Sequence, residues 1–223
     1  MAPRKGWLIG SAACALALYV LLWVGFVAQW PWIDALDRFA LEPLHDFGVD
    51  RPGWVARWDV LCTVLGPIAF RLVTLLVIAF ALLRRNLRTA LFLVISIELS
   101  GLITEAAKAA ANRSRPIEAF VPGWGLSFPS GHALGLMVAV PALLMIALPL
   151  VRRPTRVLLI VTGVVVVAVI GAGRVVLNVH HPSDVLAGWA LGYVWLVVCV
   201  LSVPPVAPIT EADEIPAAPG TSR

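Results

Sequence analysis

Phe128-Pro129-Ser130-Gly131-His132 runs directly into ALGLMVAVPALLMIALPL, residues 133–150. A polar loop turns here into an apolar helix. A hydroxyl, a glycine amide and an imidazole therefore arrive together at a helix N-terminus. Unpaired N–H groups and the positive end of the helix dipole favour an anion at such a place. The apolar run that follows is long enough to cross a hydrocarbon layer of about 30 Å at ~1.5 Å per residue. Outward from it the same pattern repeats, with apolar blocks bounded by short charged connections.

The chain has 223 residues, 60% hydrophobic and 13% charged, with a mean hydropathy of +0.92. That charge content is about half the usual globular fraction. The pattern predicts an integral membrane protein of one domain and excludes a soluble globular one. Six spans follow: Trp7 to Trp30, about Val60 to Leu83, Thr89 to Ala110, the run after Gly131 to Leu150, Val157 to Leu177, and Val185 to Val203. The first span is too long for the apolar core of a signal peptide and is read as uncleaved. The fold class is all-α, a polytopic bundle of six transmembrane helices.

Between the first two spans, Trp32, Ile33, Leu36, Phe39, Leu44 and Phe47 alternate with Asp34, Asp37, Arg38, Glu42 and Asp46. This predicts a short amphipathic helix in the outer interface, with a plain connecting loop as the alternative. Trp30, Trp32, Trp54 and Trp58 suit an aromatic belt. Six spans put both termini on one side, together with the basic clusters at 4–5, 84–88 and 152–156. The positive-inside rule makes that side cytoplasmic. The domain is 1–205, and the Pro/Ala-rich stretch 206–223 reads as a disordered cytoplasmic tail.

Two polar clusters flank the opening stretch: Lys108 with Arg115-Pro116, and Arg174 with His180 and Asp184. All fall at outer ends of spans. Arg71 and Glu98 lie inside neighbouring antiparallel spans at similar depth and are expected to pair, because ionisable groups there face the bundle interior. Glu105 is placed to steady Lys108 three residues on. Cys14, Cys62 and Cys199 lie in apolar segments and read as small core residues without a disulfide. No cofactor is expected. Histidines and carboxylates lack metal-ligand spacing, so no metal is expected and activity should survive EDTA. The basic clusters are membrane flanks, which argues against nucleic acid as a partner.

Taken together, Lys108-x6-Arg115-Pro116, Pro129-Ser130-Gly131-His132 and Arg174-x5-His180-x3-Asp184 resemble the type 2 phosphatidic acid phosphatase (PAP2) superfamily. Its pattern is K-x6-R-P, P-S-G-H and S-R-x5-H-x3-D. The resemblance covers about residues 60–203, taken as the catalytic core. The one departure is Gly173, where the family usually has Ser. The resemblance implies a membrane-embedded phosphatase. His180 would be the nucleophile, held by Asp184. His132 would protonate the leaving oxygen and then activate water. Lys108, Arg115, Arg174, the Ser130 hydroxyl and the Gly131 amide would hold the phosphate, since a metal-free site needs fixed cations and amides around the equatorial oxygens.

His181 is one residue out of register for the nucleophile and reads as a loop residue facing water or a headgroup. Arg113, Arg51 and Arg57 lie outside the pattern. They read as headgroup or loop contacts and as candidates for a second phosphate. The implied partners are membrane lipids and a lipid phosphate substrate: a polyprenyl diphosphate, phosphatidylglycerol phosphate or phosphatidic acid. The extra arginines tilt the choice toward the diphosphate. The loop Ile117 to Leu126, with Trp124, would guide a lipid tail. The site would face outward from the cell membrane. A lipid phosphotransferase is the alternative function. Vanadium haloperoxidases share the motifs but are soluble, and a non-enzymatic transporter or scaffold would show no phosphate release.

Overall fold

The computed structural model describes residues 2–205, with side chains from residue 5 onward. The tail expected to be disordered, 206–223, lies outside the described residues. Among the latter there is only helix and loop. The order is α1 (Ala2–Val27), α2 (Pro31–Val49), α3 (Pro52–Val64), α4 (Pro67–Leu83), α5 (Leu87–Leu93), a π-helical segment (Val94–Glu98), α6 (Ser100–Ala111), α7 (Gly131–Ala147), α8 (Arg153–Val176) and α9 (Pro182–Ser202). Six segments are long and apolar enough to cross a membrane: Lys5–Val27, Pro52–Leu83, Leu87–Ala111, Gly131–Leu150, Arg153–Val176 and Pro182–Ser202.

The second span departs from expectation. Residues 52–59 continue it as α3 instead of lying in a connecting loop, and the two halves join at Leu65-Gly66-Pro67. Pro67 lacks an N–H, and Gly66 before it is extended (φ −79°, ψ 177°), which interrupts the helical hydrogen bonding. At 32 residues the segment is about 48 Å long if helical throughout, so α3 reaches past the ~30 Å hydrocarbon core.

The third span contains the π-helical segment Val94–Glu98, which hydrophobic periodicity does not signal. The expected Arg71–Glu98 ion pair is absent among the described residues. Arg71 instead packs over Gly101, where an added Cβ would meet its Nη2 at 2.8 Å. The Glu98 Oε1 atom is buried without a hydrogen-bond partner.

The centre of the bundle is α7 against α9. A Cβ on Gly188 would sit 2.6 Å from the Ser130 carbonyl oxygen, and one on Gly192 would sit 2.8 Å from that of Leu134. Small residues four apart thus let the two backbones touch, as is common between membrane helices. Phe92, Leu93, Ile97, Leu134, Val138, Ala142 and Leu196 fill the core on one side. Tyr19 and Leu22 of α1 pack on Ala187 and Ala190 on the other. Cys62 and Cys199 are buried, as core residues would be, whereas Cys14 is exposed. This packing fixes the start of α7 beside the start of α9, and both face the 112–130 connection.

Candidate active site

One cavity of about 530 Å³ is lined by Lys108, Arg115, Gly131, His132, Arg174 and His180. The three motif blocks therefore meet, although they come from α6, the 112–130 loop, α7, α8 and the turn before α9. Each has a local reason for its position. Asn112 ends α6 in the left-handed region (φ 48°), which asparagine tolerates, so the chain leaves the helix just after Lys108. Asn178 does the same after α8 (φ 51°) and turns His180 inward. The Ser130 N–H donates to the Asp184 carbonyl at 2.9 Å, tying the α7 start to α9. The Ser130 hydroxyl is buried and has no protein partner.

Arg115 is held by carbonyls. Its Nε donates to Gly125 at 3.1 Å, Nη2 to Trp124 at 2.8 Å and Nη1 to Val179 at 2.8 Å. Nη1 also lies 3.1 Å from His180 Nε2. Guanidinium only donates, so Nε2 must be the accepting nitrogen, and the ring proton belongs on Nδ1. Nδ1 lies 3.5 Å from Asp184 Oδ2, the right direction but a long contact. His180 is 1% exposed, and this burial pushes its imidazole down to about 4 despite the opposing pull of Asp184. The imidazole is thus neutral at pH 7, with its lone pair at the cavity. Burial, with Arg174 nearby, also lowers Arg115 from its ordinary value. Lys108 pairs with Glu105 at 3.0 Å, as the spacing suggested.

Asp184 is the centre of a network that the motif reading did not contain. Its Oδ1 accepts from Arg113 Nη1 at 2.7 Å. Its Oδ2 accepts from the His181 N–H at 2.8 Å, stands 3.1 Å from His181 Nδ1, and accepts a short hydrogen bond from the Ser127 hydroxyl. Arg113 also donates to Ser183 Oγ at 2.7 Å and to Asp37 Oδ2 at 2.6 Å. Asp37 in turn accepts from the Ser183 N–H at 2.9 Å. Two expectations are corrected. Arg113 is not a headgroup contact or a ligand for a second phosphate, because it is buried between two carboxylates and stacked 4.6 Å over the Phe26 ring. His181 is not a residue that simply faces water; it caps α9 and bonds Asp184. It also lies outside the cavity that holds Arg115 and Arg174.

A signal for Asp37 existed in the sequence. It lies four residues after Ile33, and both are buried on one face of α2. Asp59 and Thr63 of α3, which belong to none of the motifs, also line the cavity. Arg51 and Arg57 do not reach it. Arg51 donates to the Phe47 carbonyl at 2.8 Å, and Arg57 to that of Gly53 at 3.1 Å.

Gly173, the one departure from the motif, has a packing reason. A Cβ there would sit 2.5 Å from Cys62 Sγ and 3.0 Å from the Trp58 ring. The larger thiol on α3 fills the space beside Arg174 that a serine would occupy. Gly173→Ser is therefore expected to lower thermal stability and phosphate release through overpacking of about 1–3 kcal/mol. Cys62→Ala in the same chain should restore both. A single variant that matches the wild type in both would refute this account.

The chain is similar to known phosphatases in sequence and to a solved one in fold. The chain is 30% identical over 147 residues to a phosphatidylglycerophosphatase B of Bacillus subtilis, covering 64% of this chain and 72% of that one. It is 27% identical over 150 residues to an undecaprenyl-diphosphatase of Sulfolobus acidocaldarius, covering 64% and 67%. The crystal structure of a transmembrane PAP2-type phosphatidylglycerolphosphate phosphatase from Bacillus subtilis shares its fold, with a TM-score of 0.70 at 19% identity over 85% of this chain and 94% of that one. The family model for the PAP2 superfamily matches residues 89–207, more than half of the chain and all three motif blocks, so this multi-pass membrane protein belongs to the PAP2 superfamily.

Proposed function

We propose that the chain hydrolyses a lipid phosphate through a phosphohistidine on His180. The reading rests on one observation: three cations, a helix-terminal glycine amide and two imidazoles line a single cavity of about 530 Å³. The phosphate enters among Lys108, Arg115 and Arg174, drawing Arg115 Nη1 off His180 Nε2. The freed lone pair attacks phosphorus and the P–O bond to the lipid breaks. His132, taking up a proton as the phosphate anion binds beside it, gives that proton to the departing oxygen. It then takes a proton from water, which attacks phosphorus and breaks the P–N bond, releasing inorganic phosphate and neutral His180. The Gly131 N–H and the Ser130 hydroxyl donate to the oxygens that carry charge in the transition state. Asp184 stabilises the positive charge that builds on the His180 ring as the P–N bond forms.

The basic clusters at 84–88 and 152–156 sit at the helix ends opposite the cavity. The positive-inside rule therefore supports cytoplasmic termini and an outward-facing site, which suits a protein of the cell membrane. The helix α2 lies at that outer level, with Phe39 and Val49 exposed and Ile33 and Asp37 buried, which fits an interfacial helix. Exposed Trp124 at the cavity rim suits a guide for the lipid tail. Residues 1–205 form the catalytic domain in this reading.

The test is phosphate release by purified protein in detergent from phosphatidic acid, phosphatidylglycerol phosphate and a polyprenyl diphosphate. Acid-quench trapping of a labelled phosphoenzyme is run in parallel. Release without His180-dependent label would overturn the mechanism. Transfer to an added lipid alcohol faster than to water would favour the phosphotransferase.

A pH profile follows from the environment of His180. The nucleophile must be neutral, and its ionisation lies near 4, below the ordinary 6.5. Between those values the folded enzyme keeps the lone pair that an ordinary histidine would lose. The acid limb of kcat/KM due to His180 is expected near pH 4 to 5. A His180-dependent limb centred at 6.5 would contradict the assignment.

A further inference from the structure

The carboxylate expected to hold the nucleophile is crowded on one side. Asp184 Oδ1 accepts one hydrogen bond among the described residues, from Arg113 at 2.7 Å. Asp184 Oδ2 accepts from the Ser127 hydroxyl and from the His181 N–H, the latter at 2.8 Å. Two imidazole nitrogens compete for what remains of it. His181 Nδ1 stands 3.1 Å away and His180 Nδ1 3.5 Å away. A carboxylate oxygen offers about two lone-pair sites, so four donors cannot all be satisfied. His180 Nδ1 is the one left over, buried with no hydrogen-bond partner.

Local geometry decides this contest. A carboxylate only accepts, so His181 Nδ1 carries a hydrogen and donates it. His181 is the N-cap of α9, and Asp184 follows three residues on, in the first turn. The His181 backbone N–H already bonds Oδ2, which brings its own ring to the same oxygen. The His180 ring is held at its other nitrogen, with Nε2 3.1 Å from Arg115 Nη1. His181 lines a separate cavity with Arg38, Glu42 and Glu118, and does not line the one shared by His132 and His180. Any effect of His181 on the reaction therefore passes through Asp184.

We propose that His181 is a positioning residue. By occupying Asp184 Oδ2 it loosens the hold of Asp184 on His180, and so sets the balance between the two halves of the reaction. This rests on the phosphohistidine reading and deepens it. In the first half, His180 Nε2 forms the P–N bond, and the lipid oxygen leaves with the P–O electron pair and the His132 proton. Positive charge builds on the ring, which a tighter Asp184 contact would favour. In the second half, water forms a new P–O bond, the P–N bond breaks and its electron pair returns to Nε2. A tighter contact would stabilise the charged ring of the intermediate and slow that departure. The loosened contact gives up some rate of attack for faster release of phosphate.

The experiment uses the full chain in detergent and whichever lipid of the panel above the wild type turns over fastest, radiolabelled on phosphorus. Two quantities are read at neutral pH. The first is kcat/KM per mole of monodisperse protein, which reports formation of the phosphoenzyme. The second is the decay of acid-trapped label after a chase with unlabelled lipid, which reports its hydrolysis. His181→Phe and His181→Leu lack the donor, and each should raise kcat/KM and slow the decay by at least about threefold. His181→Asn keeps an N–H near the place of Nδ1 and should behave as the wild type does, within about twofold. A damaged site would lower both rates instead of shifting them in opposite directions. Rates that move together, a change confined to one of them, no change in the donor-less variants, or His181→Asn behaving like His181→Phe would overturn the proposal. A wild type that forms no His180-dependent label would instead sink the phosphohistidine reading itself.

Discussion

His180→Gln is expected to lower phosphate release by at least about 10⁴-fold and to abolish the trapped phosphoenzyme. Glutamine keeps similar bulk and polarity but has no nucleophilic ring nitrogen. The cavity should otherwise survive, because Arg115 keeps its bonds to Gly125, Trp124 and Val179. Asp184 likewise keeps Arg113, Ser127 and His181. Any residual rate would come from the cations acting on water alone. The neighbouring His181→Gln should retain the phosphoenzyme, since His181 lies outside the cavity. His132→Gln should behave differently again. With a substrate whose leaving group needs no proton, the phosphoenzyme should form and persist, because the base for the water step is gone. Loss of label in His181→Gln together with its retention in His180→Gln would reverse the assignment of the nucleophile.

Arg113→Met should unfold the site as well as disable it. The guanidinium is buried between Asp37 and Asp184 at 2.6 and 2.7 Å. Removing it leaves two buried carboxylates facing one another across the Ser183 hydroxyl. Breaking one side of a buried pair costs about 3–5 kcal/mol, which in a chain of this size lowers the thermal midpoint by roughly 10 °C. Methionine retains most of the apolar stem that packs near Phe26, so the loss reports the charge. Asp37→Asn alone should cost less, because Arg113 keeps Asp184. The two changes combined should be strongly non-additive, since they share one network. Additive shifts in midpoint would mean that Asp37 and Arg113 do not act together.

Much of this was legible from residue order. Apolar run lengths give the six spans, and the end at which each motif falls gives the location of the site. The spacing Arg174-x5-His180-x3-Asp184 is met by the end of α8, the turn and the first turn of α9. Glu105 and Lys108 pair because i, i+3 neighbours on a helix must be close, whatever surrounds them.

Other features resisted such reading for a common reason. Helical periodicity says which residues share a face, but not which neighbour that face meets. Arg71 and Glu98 had the right depth, yet Arg71 packs over Gly101 and the Glu98 Oε1 atom is left without a partner. Arg113 looked like a spare cation, and its partners stand 76 and 71 residues away. Asp37, Asp59 and Cys62 carried no motif. Each acquired a role only when α2 and α3 packed onto the motif-bearing helices.

The order of residues by itself determined a six-span helical membrane protein and the set of side chains gathered at one end of it, since hydrophobic length and local spacing act within a helix. Tertiary packing alone decided which arginines face the cavity and which one is sealed between carboxylates. Those choices depend on the rotation of each helix against its neighbours, and that rotation is set by contacts between residues far apart in the chain, such as Gly188 with Ser130 and Gly173 with Cys62.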